Sequence, residues 1–555
     1  MEHRALLAVI LSLAILIAYQ SIFVKPQVEK EKEQKTSKQK VLQESEYTVP
    51  SESSSRESRK ELKDNLFKTA QRERTTQALA QVPAVKPEEP IKDVVVNTDV
   101  FEAVFTTEGG RIKSCRLRRY LDDSQKYPIE MVKNGGSLDF TPVEFFDSYR
   151  YLIYSVDKEE LKLYGSQEGT LTFSAEVPGN LRIEKKFTFR GDRYNVAFRF
   201  DVINTAATEI RTRFGLAWEE FYSKERLDQG YAFVGPAVYV DGKRTEIKPK
   251  DIKQQQEFSG AIGWVAFEDK YFINGMIPTD GSPQYVRINK IDDNRFTATL
   301  VYPEVDLPPG VKKSYEGNVY LGPKLSGMLA LVPNNFSKAL NYGWFDIIAR
   351  PLLIVLKWLE KHTHNWGIAI ILLTILIKII FYPLTHKSYK SMKEMQKIQP
   401  KMAKLREKYK NDKEKINREM WHLYKTHKVN PLGGCLPMIL QIPVFFALYR
   451  ALLYSIEIRH SPFIPSLPIL NYGWITDLSS KDPLYITPLI MGASMFLQQK
   501  MTPTTGDPTQ AKIMLLMPVV FTVMFLNFPS GLVIYWLVNN VLSIGQQFYI
   551  NKYTS

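Results

Sequence analysis

The fold of this chain is decided by residues 365–385, NWGIAIILLTILIKIIFYPLT. The stretch is almost wholly apolar and matches the roughly 20 residues with which a helix crosses the hydrocarbon core of a bilayer. One lysine, Lys378, lies inside it, about 18 Å along a helix from Trp366 and about 10 Å from Thr385 at roughly 1.5 Å per residue. A lysine at that depth costs on the order of 2.5 kcal/mol or more. This cost must be offset in one of three ways: the side chain snorkels to the membrane surface, it pairs with another group, or it contacts water inside the protein.

Positive charge is concentrated in the segment that follows. The chain has a formal net charge of +14, and residues 386–429 hold fourteen Lys or Arg against five Asp or Glu. A basic block can bind nucleic acid, anionic lipid or the ribosome, but between two apolar segments it more simply marks a cytoplasmic loop. Apolar spacing of three and four residues on both sides of Asn411 and Asp412 predicts an antiparallel helical hairpin, with a kink at Pro400. The residues that carry the spacing are Met392, Met395, Gln399, Met402, Leu405, Tyr409, Ile416, Met420, Leu423 and His427.

Further apolar stretches bring the predicted transmembrane helices to six in all. Residues 1–24 predict an uncleaved anchor, because the apolar run is long and does not end in a small-x-small cleavage site; a cleaved signal peptide is the alternative. The spans that follow 365–385 are residues 431–456, 484–501, 513–528 and 532–550. Residues 336–361 are amphipathic, with Trp344 and Trp358 suited to a headgroup boundary, and predict a helix lying in the membrane surface.

The remaining segments predict a linker and a soluble domain. Residues 25–93 are rich in Lys, Glu, Gln and Ser and indicate a flexible linker. Residues 94–330 alternate polar and apolar positions between turn residues, which predicts a large antiparallel β-sandwich. The positive-inside rule places both termini and the hairpin in the cytoplasm and residues 25–335 on the opposite side. The predicted fold is a multi-domain membrane protein, a β-sandwich followed by a five-helix transmembrane core with a cytoplasmic helical hairpin.

Cysteine and histidine usage argues against disulfide and metal sites. Cys115 and Cys435 are the two cysteines, and the predicted topology puts them on opposite sides of the membrane, so they cannot pair. Two histidine pairs, His362/His364 and His422/His427, have no carboxylate or cysteine at ligand spacing. The β-region shows no spaced carboxylate pair or nucleophile motif. We therefore expect no cofactor, no metal and no catalytic residue.

Lys378 has neutral polar company in the predicted spans. Thr374, four residues earlier, shares its helix face, and Gln441 lies in the next span. The other polar span residues are Ser494, Gln498, Asn527, Asn539, Asn540, Gln546 and Gln547. Each can simply join two helices by a hydrogen bond. Together, with no Asp or Glu in mid-membrane, they favour a hydrated groove whose anionic partner comes from elsewhere.

Five motifs resemble the YidC family of membrane protein insertases, in its long Gram-negative form. They are FYPLT at 381–385, VNPLGGCLPMILQIPVFFALY at 429–449, DPLYITPLIMG at 482–492, QKMTPTTGDP at 499–508 and FPSGLVIYW at 528–536. The resemblance implies an energy-independent insertase and chaperone of the inner membrane, acting alone or with the Sec translocon. It implies nascent membrane proteins and lipids as partners, and the ribosome and signal recognition particle pathway at the 386–429 hairpin, without a direct nucleic-acid function. The β-sandwich would then be periplasmic.

The resemblance also implies which residues form the substrate site. The family has a groove open to cytoplasm and lipid but closed to the outside, with a cation that Lys378 matches by position. Thr374 and Gln441 match groove-lining residues, Trp536 matches an aromatic that contacts substrate, and Tyr535 lies beside it. The family cation is usually Arg, which is permanently charged, whereas a desolvated Lys can lose its proton. A working Lys378 therefore needs a wet site.

Two other function classes stay open at this point. A secondary transporter with an extracellular sugar-binding domain would need inverted repeats and a midplane site with paired acids, and the sequence shows no internal repeat. A membrane-anchored carbohydrate-binding protein or enzyme would act through the β-sandwich, on fold analogy alone. Deleting that domain separates these classes, because an insertase core should tolerate most of the loss.

Overall fold

A computed structural model describes residues 90–133, 138–145, 149–177, 180–227, 232–280, 282–410, 412–427, 429, 436–467, 472–501 and 508–553. The predicted anchor at 1–24 and nearly all of the predicted linker at 25–93 lie outside these residues. The chain divides into two compact units. Of the described residues, those from 90 to 346 and 453–457 belong to the β-unit, and those from 347 to 452 and from 458 to 553 belong to the helix unit.

Strands β1 to β21 build the β-unit. Their bounds are β1 Asp93–Asn97, β2 Phe101–Thr106, β3 Arg111–Leu121, β4 Pro128–Glu130, β5 Asp139–Pro142, β6 Ser155–Val156, β7 Glu160–Lys162, β8 Glu168–Glu176, β9 Leu181–Arg190, β10 Asn195–Asn204, β11 Ile210–Thr212, β12 Phe214–Phe221, β13 Gly235–Val240, β14 Lys243–Glu246, β15 Gln255–Ser259, β16 Ile262–Glu268, β17 Phe272–Pro278, β18 Tyr285–Lys290, β19 Arg295–Val301, β20 Val305–Leu307 and β21 Lys312–Pro323. Two short helices, α1 Lys224–Leu227 and α2 Ser326–Leu329, lie between or after them.

Three larger sheets form the core of the β-unit. A nine-stranded sheet has the order β14-β13-β16-β17-β21-β10-β9-β8-β6, and the two five-stranded sheets have the orders β15-β18-β19-β12-β5 and β4-β3-β2-β1-β7. Aromatic rings join them: Phe140 of β5 packs on Phe200 of β10 at 4.9 Å, and Phe105 of β2 on Phe187 of β9 at 5.0 Å. The predicted domain rich in antiparallel sheet is confirmed. One detail differs, because β1 and β7 pair in parallel.

Seven helices follow in the described chain, with one small hairpin among them. They are α3 Asp346–Thr363, α4 Trp366–Lys408, α5 Lys413–Thr426, α6 Leu436–Tyr454, α7 Ile486–Met501, α8 Pro508–Phe525 and α9 Ser530–Tyr553, with strands β22 Ile464–Leu467 and β23 Tyr472–Trp474 before α7. Among the described residues, α4 is the one helix whose length and composition would let it cross a membrane; shorter apolar stretches are Gln441–Tyr454 and Met514–Phe525. The six-helix topology therefore stays a prediction.

Two helix boundaries differ from the expectation. The amphipathic helix predicted at 336–361 begins only at Asp346, because Phe336–Ala339 and Gly343–Phe345 form separate 3-10 turns. Asn335 and Gly343 have positive φ angles of 57° and 72°, which no α-helix accepts. Helix α4 begins where Asn365 caps it, with Oδ1 accepting from Ile368 N at 3.0 Å. It then runs 43 residues without a break past Pro400, so the predicted span and the first hairpin helix are one helix.

The hairpin of α4 and α5 has a small apolar seam. Its buried residues are Ile398, Met402, Met420 and Val429. Asp412 caps α5, with Oδ1 accepting from Lys415 N at 2.9 Å. The two methionines fill the seam, as their spacing predicts, whereas Ile398 takes the place expected for Gln399.

Candidate functional site

Lys378 is half-buried on α4 and is held by neutral groups. Its Nζ donates to Ser543 Oγ of α9 at 2.6 Å, and Ser543 Oγ donates to the carbonyl oxygen of Asn539 at 2.7 Å. Asn539 Oδ1 accepts from Gln441 Nε2 of α6. Helices α6 to α9 contain no Asp or Glu. Lys378 and Gln441 therefore belong to one network whose members, apart from the ammonium, are all uncharged.

The network is part of a polar stripe on α9, which we call the polar ladder: Asn539, Asn540, Ser543, Gln546 and Gln547. Their spacing of one, four, seven and eight residues puts them along one side of the helix. The ladder contacts three other helices. Besides the contacts above, these are Asn540 Nδ2 to Ser494 Oγ of α7 at 3.3 Å, Gln546 Nε2 to Thr385 Oγ1 of α4 at 2.7 Å and Gln547 Nε2 to the Met501 carbonyl oxygen of α7 at 2.7 Å.

The opposite half of the same helices is apolar. Ala369, Ile370 and Leu373 of α4 are buried, as are Leu532 and Val533 of α9. In that half the Ile370 side chain packs on the backbone at Gly531, where a Cβ would lie only 3.2 Å from Ile370 Cδ1. The side-chain hydrogen bonds that join α4 to α9 thus lie in the half nearer the hairpin.

Thr374 lies between the two halves and is not part of the network. Its side chain is 1% exposed, and Oγ1 donates to the carbonyl oxygen of Ile370 in its own helix at 2.7 Å. With its proton engaged in this way and its side chain buried, the hydroxyl has no donor left for a ligand. The structure therefore joins Lys378 to Gln441 but places Thr374 apart from them.

Trp536 and Tyr535 lie against α6. The Trp536 ring meets Phe445 of α6 edge-on at 4.7 Å and packs on Phe525 of α8 at 5.3 Å. Its buried Nε1 has no hydrogen-bond partner among the described residues. Tyr535 is buried and stacks on Phe445 at 6.4 Å. The aromatic cluster is where α6, α8 and α9 meet.

Ser543 is the functional candidate that the sequence interpretation missed. It is one hydroxyl in an apolar helix and carries no charge to mark it. The available signal was its position four residues after Asn539, which puts both on one face. Its partner Lys378 is 165 residues away in the chain, so the contact depends on the register between two helices.

Comparison with known proteins covers both units. The family model described as 60Kd inner membrane protein matches residues 358–555, and the model for the YidC periplasmic domain matches residues 93–355. The chain is 42% identical to the membrane protein insertase YidC of Syntrophus aciditrophicus (strain SB), over 100% of both chains. It is 46% identical to that of Citrifermentans bemidjiense, over 83% of this chain and 86% of the relative.

One solved structure is similar as well. It is described as an active YidC insertase crystal structure with the first transmembrane domain resolved. The match has 20% identity, covers 86% of this chain and 99% of that chain, and has a TM-score of 0.35. Because the two family models together match residues 93–355 and 358–555, and the relatives are 42% and 46% identical, this chain belongs to the YidC family of membrane protein insertases.

Proposed function

We propose that this chain inserts inner-membrane proteins and helps them fold, through a hydrophilic groove built from the polar ladder and Lys378. The observation that carries the proposal is the half-buried ammonium of Lys378, whose hydrogen-bond partner in the described chain is the neutral Ser543. A buried charge normally has an opposite charge beside it. Its absence in helices α6 to α9 leaves Lys378 available to an acid that a substrate brings.

The driving force for insertion comes from the substrate. Burying an apolar helix in the bilayer is strongly favourable, and the barrier is the transfer of its polar flank. A positive charge and hydrogen-bonding amides part of the way across lower that barrier, because the flank exchanges water for other polar partners. No covalent step is needed, so the chain is an insertase and chaperone and not an enzyme.

The aromatic cluster supports an exit route for the substrate's apolar segment. Phe445 of α6 and Phe521 and Phe525 of α8 surround Trp536, next to the polar network. The outer face of α8 beyond them is strongly exposed and apolar, with Leu516 and Val523 the most exposed. In this proposal a substrate helix passes from Gln441 along α6 and α8 into lipid, and Trp536 and Tyr535 line its path.

The topology and the macromolecular partners belong to the same proposal. Six transmembrane helices, cytoplasmic termini and a periplasmic β-unit fit the distribution of charge. The hairpin is a basic surface with Trp421 exposed, which suits ribosome-bound nascent chains delivered with the signal recognition particle. The Sec translocon and membrane lipids complete the set of partners that the family membership supports.

The transporter and the carbohydrate-binding enzyme are weaker candidates. A transporter that couples to ions needs acids near the midplane, and α6 to α9 contain none. The relatives that match the full chain carry the insertase name. Deletion of residues 94–323 is expected to leave insertion measurable, whereas an enzyme acting through the β-unit would lose its activity.

Site-specific photocrosslinking tests the proposal directly. A photoreactive amino acid replaces Gln441, and a second variant carries it at the exposed Leu516, on the proposed exit path. Stalled ribosome-bound membrane proteins of increasing length are then presented to both. The polar flank should crosslink to position 441 at short lengths, and the apolar segment should reach position 516 only later. Crosslinks at 516 without any at 441, at every length, would refute a polar groove.

A further inference from the structure

The hydroxyl group of Ser543 is fixed as an acceptor toward Lys378. A serine hydroxyl has one proton to donate and two lone pairs, whereas an ammonium has three donors and no acceptor. Ser543 Oγ donates its proton to the carbonyl oxygen of Asn539 at 2.7 Å. Only lone pairs remain for Lys378, whose Nζ donates to Ser543 Oγ at 2.6 Å. Ser543 is buried, so little bulk water competes for this contact.

The acceptor that holds the ammonium is uncharged. A carboxylate in its place would form an ion pair with Lys378 and leave little net charge for another acid. Helices α6 to α9 contain no Asp or Glu. On α4 the acid closest in sequence, Glu394, follows Lys378 by sixteen residues and pairs with Lys397 at 2.7 Å. Ser543 therefore orders the side chain of Lys378 while its charge stays without an acid beside it in these helices.

The acceptor also has a fixed place, because the helix that carries it is held on both sides of it. Asn540 Nδ2 donates to Ser494 Oγ of α7 at 3.3 Å, and Gln547 Nε2 donates to the Met501 carbonyl oxygen at 2.7 Å. Ser543 lies between these contacts, about one turn from each. A lysine side chain is long and loses much rotamer freedom when it is ordered. Because Ser543 orders it in advance, a substrate acid meets an ammonium that is already in place.

A purely structural role, a hydrogen bond that joins α4 to α9, explains Ser543 less well. The same two helices are joined about one turn further along, where Gln546 Nε2 donates to Thr385 Oγ1 at 2.7 Å. Towards the start of both helices, Ile370 packs on the backbone at Gly531. The pair would therefore stay joined without the Ser543 contact. The two roles predict opposite effects of an acid at position 543, because a hydrogen bond between two charged groups is stronger than one to a neutral oxygen.

We propose that Ser543 is a positioning residue through which the insertase favours substrates with acidic flanks. Its neutral oxygen holds the ammonium of Lys378 without pairing its charge, so the other N–H donors are offered to a carboxylate of the substrate. That carboxylate gains charge-assisted hydrogen bonds and the attraction of an uncompensated charge. The inference rests on the proposed insertase function and assigns its selection for charge to a residue.

An acid and its neutral isostere at position 543 test this role. Full-length chain in proteoliposomes receives two stalled ribosome-bound substrates that differ only in the flank, one with Asp and one with Asn. With Ser543→Asp, the insertion rate of the Asp substrate should fall about 30-fold, because an internal ion pair takes up the charge of Lys378. The rate of the Asn substrate should be retained. Ser543→Asn is the matched control of nearly equal size and should keep both rates within about twofold, since its amide oxygen is a neutral acceptor.

A second pair of variants removes the acceptor and restores it. Ser543→Ala should slow insertion of the Asp substrate about fivefold, because a free lysine side chain must then be ordered when the substrate binds. Alanine favours a helix more than serine does, so α9 should stay folded. Ser543→Thr keeps the hydroxyl and should restore the rate. Ser494→Ala, at a serine of α7 whose hydroxyl accepts from Asn540 of the same polar ladder, is the control and should leave both rates unchanged.

Three results would overturn the role of Ser543. Insertion of the Asp substrate by the Ser543→Asp chain at the rate of the unmodified chain would show that the contact only joins two helices. Equal loss on the Asp and Asn substrates would show that the new charge acts other than through the substrate's acid. Equal rates for Ser543→Ala and Ser543→Thr would show that the hydroxyl has no part in positioning. Failure of the insertase proposal would appear separately, because the unmodified chain would then insert neither substrate.

Discussion

Replacing Lys378 by alanine should slow insertion of substrates with acidic flanks far more than that of neutral ones. Two unit charges about 4 Å apart attract by about 4 kcal/mol at an effective dielectric constant of about 20. Hydration of the groove and the desolvation of the substrate acid offset roughly half of this. About 2 kcal/mol remains, and since about 1.4 kcal/mol corresponds to tenfold, the rate should fall about 30-fold.

The assay compares two substrates that differ only in the flank, one with Asp and one with Asn at the same position. Purified chain in proteoliposomes receives each from stalled ribosomes, and protease protection gives the insertion rate. In the Lys378→Ala chain the insertion rate of the Asp substrate should fall about 30-fold, because the attraction between the two charges is lost. The insertion rate of the Asn substrate, which has no charge at that position, should fall less than about threefold. Lys378→Arg should retain both rates, because the guanidinium keeps the charge.

The control is Lys387→Ala, an exposed lysine on the same helix that contributes charge but is outside the network. It should leave both rates near those of the unmodified chain. Removing a half-buried ammonium also removes its desolvation cost, so Lys378→Ala should accumulate normally. Equal loss on the Asp and Asn substrates, at matched protein levels, would refute the role of the charge.

The other predictions concern packing and pH. Gly492→Val should lower the melting temperature of the helix unit, because a Cβ there overlaps Thr522 of α8, whereas Gly545→Val, with open space, should not. Met402→Ala should cost the hairpin about 2–5 kcal/mol and hasten its proteolysis; unchanged cleavage would contradict a packed seam. Burial lowers the pKa of Lys185 in the β-unit to about 7 from 10.5. Between those values the unfolded chain binds the extra proton, so the free energy of unfolding rises with pH. Lys185→Met should remove that rise in denaturant titrations at pH 7, 8 and 9, and an unchanged slope would refute it.

The fold of the β-unit is largely predictable because alternation is a local property of a strand. In β9 every second residue is buried, as the sequence pattern indicates. The parallel pairing of β1 with β7 is not predictable in the same way, since Val95 and Glu160 are distant in sequence. Likewise, the break before α3 depends on the backbone angles of Asn335 and Gly343, which composition does not specify.

In the candidate site, too, some residues can be recognised from the sequence and others only from the packing of the helices. Lys378 is conspicuous in the sequence, because a charge in an apolar run carries a cost that demands an explanation. Gln441 also stands out as a polar residue in a span. Ser543 does not, and its role appears only when α4 and α9 are in register. Thr374 shares a helix face with Lys378 in the sequence pattern, yet its hydroxyl is engaged by Ile370 of its own helix.

Helix α4 has a mechanical consequence, because it is continuous from Trp366 to Lys408. At roughly 1.5 Å per residue it is about 65 Å long. Its first part carries Lys378, and its second part belongs to the hairpin. Pro383 lies between the two parts, about one and a half turns from the lysine. It removes one backbone hydrogen bond, so the helix bends more easily at this point. The hairpin and Lys378 are therefore joined by helix alone, with no connecting loop, and Pro383 is the point between them at which the helix can bend.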